Sequence, residues 1–253
     1  MADPIHQFEI VKVVDLPDVT VPGMGVVDLA ITNSHIAMTI AFGLIVLLLT
    51  LVTSRASVVP GRMQAAGETL FGMIDGLTES IIGHEGRKYF PFVFTIFTLI
   101  LAMNLLGMFL TFTATAQLAV TATFAMLTFG LVLAIGFAKN GFKFFLLFWP
   151  TGAPLVMRPV VGFIEFIAFM LRPLTLALRL FGNMLGGHVA LKVFAGFVVS
   201  LGSLGALGIG GAILPLLMTI ALTGLEFLVS FLQAYVFAVL TCMYLNDALH
   251  PSH

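Results

Sequence analysis

Several apolar stretches of about 20 residues or more constrain the fold of this chain more than any other feature. Only helices and closed barrels satisfy all their backbone hydrogen bonds inside a bilayer, and a helix needs roughly 20 apolar residues to cross it. Of the 253 residues, 60% are hydrophobic and 9% are charged, and the mean hydropathy is +1.13. The sequence therefore predicts an all-α, polytopic membrane helical bundle, and nucleic acid is not an expected partner.

The apolar stretches divide the chain into segments of one membrane domain, residues 1–253. We expect about five transmembrane helices and one amphipathic surface helix. The predicted segments are an N-terminal arm (1–34), a first span (35–54), the surface helix (63–82), two spans (89–138, divided into about 89–113 and 118–138) and a long, tilted helical hairpin (153–248). The surface helix carries Glu68, Asp75 and Glu79, which makes it a poor span, and an ordinary loop helix is the alternative.

Basic residues at the ends of the predicted spans indicate their orientation. They are Arg55 and Arg62 after the first span, Arg87 and Lys88 before the second, and Lys139 and Lys143 after the third. The positive-inside rule places these ends in the cytoplasm, so we expect the N-terminus in the periplasm and, after five crossings, the C-terminus in the cytoplasm.

The N-terminal arm is acidic and contains two prolines. Its acidic residues are Asp3, Glu9, Asp15, Asp18 and Asp28, against a single basic Lys12. Pro17 and Pro22 favour an irregular polar segment. Because the arm has no basic n-region, we expect the first apolar segment to be a retained span and not a cleaved signal.

A stripe of charged residues follows the first helix of the predicted hairpin. Arg158, Glu165, Arg172 and Arg179 recur every seven residues, a step that ends about 20° short of two full turns. Pro173 lies within the stripe, so the helix could be bent there. Arg158 and Arg172 are interpreted as anchors whose side chains snorkel to the cytoplasmic surface. Arg179 lies about 31 Å of helix from Arg158, too deep for another anchor on the same surface unless the helix is strongly tilted.

Two polar pairs are predicted to face each other across the hairpin. Facing residues of an antiparallel hairpin have a constant sum of residue numbers. The pair Arg179 and Gln233 and the pair His188 and Glu226 have nearly the same sum, and its centre lies near residue 206. That position falls inside the glycine-rich run at 202–211, which we interpret as the turn.

The same arrangement predicts an order of depth in the membrane. Glu165 would lie on the cytoplasmic side, opposite the region of Asp247, and Arg179 would be central. The side chains of His188 and Glu226 would lie about 13 Å further toward the periplasm. Histidine and glutamate can exchange protons near neutral pH, whereas arginine stays charged. The pattern predicts two polar half-routes separated by a fixed positive charge, with the carrier carboxylate on another subunit.

Two other interpretations compete with an ion path. Intramembrane charged groups can pair within a bundle and fix its register, as expected of a structural assembly subunit. Asn104, Thr95 and Thr98 are likewise interpreted as helix-packing hydrogen-bond groups. The chain could also be an autonomous secondary transporter with Arg179 binding an anion, but such transporters have paired repeats and the first half of the chain has no matching arginine.

Three motifs resemble subunit a of the F-type ATP synthases. The stretch Pro173 to His188, with Leu-Arg-Leu-Phe-Gly-Asn around Arg179, is similar to the family's signature around its essential arginine. The runs Leu232 to Phe237 and Asn104 to Gly107 are similar to motifs of its last helix and its second span. The resemblance covers about residues 35–248.

The resemblance implies a proton-translocating stator subunit with two half-channels. Arg179 would face the carboxylates of a rotating c-ring, and His188, Glu226 and Asn183 would lie in the periplasmic half-channel. Glu165 would lie in the cytoplasmic half-channel, and Gln233 completes the predicted proton-translocation residues. The implied partners are the c-ring, b-type peripheral stalk subunits, the lipid bilayer and, indirectly, the soluble catalytic ATPase sector.

The resemblance also implies a cellular location and a division of labour. The chain would lie in the bacterial inner membrane and would have no catalytic chemistry, cofactor or metal of its own. It has no P-loop motif, so partners would handle ATP. His188 precedes Glu226, as in the mitochondrial form of the family, which suggests an alphaproteobacterial source. The run Phe109-Leu110-Thr111 has no proline, whereas many members of the family have one there. The resemblance therefore does not fix the residue at which the second span ends.

Overall fold

The computed structural model describes residues 10–15, 19–21, 25–27, 30–54, 57–109, 112–149, 154 and 157–250. Its α-helices are α1 (Asn33–Ser54), α2 (Arg62–Ile82), α3 (Phe90–Phe109), α4 (Leu118–Asn140), α5 (Arg158–Gly202) and α6 (Ala206–Leu249). Short 3-10 helices cover His84–Lys88, Ala114–Ala116 and Gly141–Phe148. The prediction of an all-α chain is confirmed.

Five helices in the described part of the chain are long and apolar enough to cross a membrane. They are Asn33–Ser54, Phe90–Phe109, Leu118–Phe145, Arg158–Gly202 and Gly208–Leu249. These five match the predicted spans. The helix α2 is not among them, in agreement with the predicted surface helix. It buries Ile74, Thr78 and Ile82 along one face and exposes Glu68 and Glu79.

The N-terminal arm contains strands that its composition did not predict. The strands β1 (Lys12–Asp15) and β4 (Ala30–Thr32) pair antiparallel, and so do β2 (Val19–Val21) and β3 (Gly25–Val27). The expectation of a wholly irregular arm is therefore wrong. Several residues named above lie outside the described ranges: Asp3, Glu9, Pro17, Asp18, Pro22, Asp28, Arg55, Leu110 and Thr111.

An ion pair connects the segment before α3 with the end of α4. The Lys139 ammonium group binds the carboxylate of Glu85, which lies in the 3-10 helix before α3. The hydrogen bond and the charge of Lys139 lower the pKa of Glu85. The start of α3 and the end of α4 therefore lie on the same side, as the basic residues predicted. The helix α3 ends at Phe109, four residues before the predicted end at Thr113.

The last two helices form the predicted hairpin, but its turn is tighter than expected. Only residues 203–205 separate α5 from α6, and Gly205 has a φ of 82°, a conformation that favours glycine. The later glycines of the run belong to α6. Pro173 and Pro215 lie inside continuous helices, so neither proline ends its helix.

The chain divides into two compact units. Unit I comprises the described residues of 1–47, 99–117 and 181–231, and unit II those of 48–98, 118–180 and 232–253. In unit I the buried Asn104 amide donates a hydrogen bond of 3.2 Å to the carbonyl of Ser230, which joins α3 to α6 as predicted. In unit II, Thr95 and Thr98 donate to carbonyls of their own helix and not to another helix.

A phenylalanine cluster forms the core of unit II. The ring of Phe169 on α5 lies 5.1 Å from that of Phe129 and 6.0 Å from that of Phe144. A Cβ atom on Gly136 would lie 2.4 Å from Phe144, so the glycine is needed for this packing. These contacts fix the face of α5 that carries Phe169 and, one turn later, Arg172.

Candidate functional site

A buried imidazole and a buried carboxylate meet in unit I. His188 on α5 and Glu226 on α6 approach to 3.2 Å between Nδ1 and Oε1, and their side chains are 8% and 4% exposed. The predicted facing of these two residues is therefore observed. Neither oxygen of Glu226 has a hydrogen bond of good geometry to a described residue, so the carboxylate is not locked into a structural network.

The other nitrogen of the imidazole contacts Thr113. Its Nε2 lies 2.9 Å from Thr113 Oγ1, and the Thr113 hydroxyl donates a hydrogen bond of 3.1 Å to the carbonyl of Gly107. Sequence reasoning missed Thr113 because it placed this residue at the end of the second span. A threonine in a connection between helices carries no distinctive signal, and the early end of α3 is what brings it to His188.

A cavity of about 200 Å³ adjoins the carboxylate of Glu226. Asn183 and Gly187 of α5 line it, together with Leu222, Leu225 and Val229 of α6. Because one water takes about 30 Å³ in the liquid, the cavity has room for several. The predicted residue Asn183 thus joins Glu226 at one cavity. A Cβ on Gly187 would lie 3.0 Å from Glu226 Oε1, so this glycine leaves the carboxylate its space.

A different ion pair joins α5 to α6 in unit II. Arg172 Nη2 lies 2.9 Å from Asp247 Oδ2, and the guanidinium lies 5.0 Å from the ring centre of Phe169 and 4.8 Å from that of Tyr244. These contacts add an ion-pair partner to Arg172, while its interpretation as a snorkelling anchor stays a prediction. Asp247 was expected near Glu165, but its partner is the arginine one heptad later, because opposite charges attract.

Arg179 stands apart from Arg172 although the two share a helical stripe. Its side chain is exposed, and it forms no ion pair with any described residue. Tyr244 is near enough to interact with it electrostatically. Gln233, its predicted partner, is only 3% exposed. The pairing of Arg179 with Gln233 stays a prediction.

Glu165 lies in the same unit, half-buried on α5. Its Oε2 is enclosed and makes no hydrogen bond to a described residue. Within the described ranges no group of three His, Cys, Asp or Glu side chains is placed to hold a metal ion. The structure thus brings His188, Glu226 and Asn183 together in unit I, whereas Arg179, Gln233 and Glu165 belong to unit II.

Comparison with known proteins identifies the family. Residues 35–246 match the family model described as ATP synthase A chain. A protein named ATP synthase subunit a from Rhizobium leguminosarum bv. trifolii is 52% identical over 250 residues, which cover 98% of both chains. Proteins of the same name from Chelativorans and Mesorhizobium japonicum are each 51% identical over 252 residues, 99% of this chain and 99% and 98% of theirs. The family model matches most of the chain, and the identity to these relatives extends over nearly its whole length. The chain therefore belongs to the ATP synthase subunit a family.

Proposed function

We propose that this chain conducts protons through two half-channels and couples their flow to rotation of a c-ring. As a member of its family, the chain is a multi-pass membrane component of an ATP synthase and takes part in proton transport for ATP synthesis. The finer assignment of residues to steps is our inference. The chain itself has no catalytic role in this scheme, since the soluble sector makes the ATP.

The buried pair in unit I supports a periplasmic half-channel. Histidine and glutamate can each take up and release a proton near neutral pH when their surroundings are tuned. The cavity beside Glu226 provides space for water, and Asn183 supplies a polar group at its wall. A proton that enters through this water can therefore be held by the pair before it moves on to the ring.

The exposed guanidinium of Arg179 is the observation that carries the coupling step. A charged side chain at the centre of a bilayer costs about 2.5 to 3.5 kcal/mol on insertion scales, so it needs a partner. Because no described residue forms an ion pair with it, the partner is a carboxylate of another chain, and we assign it to the c-ring. The fixed charge favours the ionised form of each passing carboxylate and so releases its proton.

Glu165 supplies the second half-channel in this scheme. Its Oε2 makes no hydrogen bond to a described residue, and we assign it the role of holding a proton on the cytoplasmic side. That assignment follows the predicted orientation, with the N-terminus in the periplasm and the C-terminus in the cytoplasm. The bacterial inner membrane is the location that fits, and b-type stalk subunits would hold the chain as a stator.

Substitution of Arg179 tests the coupling step. We expect Arg179→Ala to abolish ATP-driven acidification of inverted membrane vesicles, while the complex still assembles and keeps its membrane-bound ATPase. Arg172→Ala is the matched control, because it removes an arginine one heptad away that already has a partner. Normal pumping by the Arg179→Ala complex, or equal loss in both variants, would contradict the proposal.

A further inference from the structure

Thr113 closes a chain of contacts that runs from a backbone carbonyl to the buried carboxylate. Its side chain lies between the Gly107 carbonyl, 3.1 Å away, and His188 Nε2, 2.9 Å away. On the other side of the imidazole, Nδ1 lies 3.2 Å from Glu226 Oε1. Thr113, His188 and Glu226 are all buried.

The directions of the two hydrogen bonds of Thr113 follow from the donors available. A carbonyl can only accept, so both contacts are hydrogen bonds only when the single hydroxyl proton of Thr113 goes to Gly107. The hydroxyl oxygen then has only lone pairs left for the imidazole, and Nε2 must carry a proton and donate it. In a neutral imidazole the other nitrogen is unprotonated, so Nδ1 turns its lone pair toward Glu226.

We propose that Thr113 is a positioning residue that holds His188 in the Nε2–H tautomer, so that Nδ1 and Glu226 Oε1 exchange a single proton. A protonated Glu226 gives its proton to Nδ1, which leaves a carboxylate beside an imidazolium, and the reverse transfer restores both neutral groups. The other tautomer would present an N–H to the carboxyl group, and a proton on Glu226 would then have no acceptor. This inference deepens the proposed half-channel and rests on it.

The local packing explains how Thr113 reaches its position. A Cβ on Gly107 would lie 2.5 Å from Thr113 Cγ2, so the absence of a side chain lets the threonine approach the end of α3. The charged groups that act on the imidazole are Glu226 from α6 and Lys192, one turn further along α5. Thr113 adds no charge, and its effect is to orient the ring.

Removal of the hydroxyl tests the inference without a large change in volume. Proton conduction would be driven by a potassium diffusion potential in vesicles stripped of the soluble ATPase sector. We expect Thr113→Val to lower conduction roughly threefold to tenfold, as for loss of one ordinary hydrogen bond. Thr113→Ser, which keeps the hydroxyl, should restore most of it. The pH profile between about pH 5 and 8, where histidine titrates, should also change shape in Thr113→Val.

Thr115 offers a matched control two residues away. It is fully buried, and its Oγ1 has no hydrogen-bond partner in the described part of the chain, so Thr115→Val removes a hydroxyl without a contact. We expect normal conduction from it. Equal conduction by Thr113→Val and Thr115→Val, or an unchanged pH profile in Thr113→Val, would overturn the positioning role.

A third variant separates failure of this inference from failure of the proposed function. His188→Ala removes the imidazole itself and should stop most conduction if the half-channel passes through it. Normal conduction by His188→Ala would overturn both the half-channel and the role of Thr113. Impaired conduction by His188→Ala together with normal behaviour of Thr113→Val would overturn the role of Thr113 alone.

Discussion

Two ion pairs connect α5 with α6, and they are built for different tasks. The side chains of His188 and Glu226 are 8% and 4% exposed, and a cavity adjoins the carboxylate. The side chains of Arg172 and Asp247 are 24% and 27% exposed, and two aromatic rings flank the guanidinium. The first pair is enclosed but has free space beside it, whereas the second is partly exposed and is held between aromatic rings.

The difference shows what distinguishes a proton-transfer pair from a structural one. A guanidinium keeps its charge at any working pH, so Arg172 can hold Asp247 but cannot pass a proton. An imidazole can be neutral or charged near neutral pH, and apart from this imidazole no described residue holds the oxygens of its carboxylate partner. Burial alone does not decide whether a pair transfers protons. A partner of variable charge and space for water are also needed.

The largest effect on stability is expected at the structural pair. Arg172→Ala removes an ion pair and two cation–π contacts, and we expect it to lower the stability of the complex by about 1 to 3 kcal/mol. Arg172→Lys should cost less because the charge remains while the planar group is lost. The temperature at which the purified complex dissociates measures both. A pair that contributes nothing would leave that temperature unchanged.

A smaller effect, in this case on proton conduction, is expected for a substitution of the glycine beside the buried carboxylate. In Gly187→Ala the added Cβ would lie 3.0 Å from Glu226 Oε1 and would narrow its cavity. We expect proton conduction to fall roughly twofold to fivefold, which is about 1 kcal/mol or less in barrier height. The measurement is passive conduction in vesicles stripped of the soluble sector.

The neighbouring glycine provides the control for that substitution. A Cβ on Gly186 would meet no atom within 4 Å, so Gly186→Ala makes the same chemical change with no contact at the site. Both substitutions favour the helix to the same degree. If the two variants conduct equally, the space around Glu226 has no part in transport and the contrast between the two pairs loses its basis.

The sequence predicts those parts of this molecule that depend on regular helices. Five spans follow from apolar length, and the facing of His188 and Glu226 follows from residue numbers because α5 and α6 continue through that region without a break. The position of the turn follows for the same reason. Its tight form, with only residues 203–205 outside the helices, does not, because glycine is also tolerated inside apolar helices.

Other features depend on contacts that no sequence period encodes. The partners of Arg172 were not predicted because the pattern of one helix cannot reveal Asp247 and Tyr244 on another. Thr113 escaped notice because it lies outside the regular helices, where side-chain direction has no simple rule. The strands of the N-terminal arm are only three or four residues long, and β1 pairs with β4, which follows only after β2 and β3.

The most direct test of the account removes the acid from each pair in turn. Passive proton conduction would be compared in stripped vesicles that carry Glu226→Gln or Asp247→Asn, at equal amounts of assembled complex. We predict that Glu226→Gln lowers conduction at least about tenfold, as for loss of a proton-transfer group, while Asp247→Asn stays within about twofold of the unchanged protein. Normal conduction by Glu226→Gln, or an equal loss in both, would contradict the account.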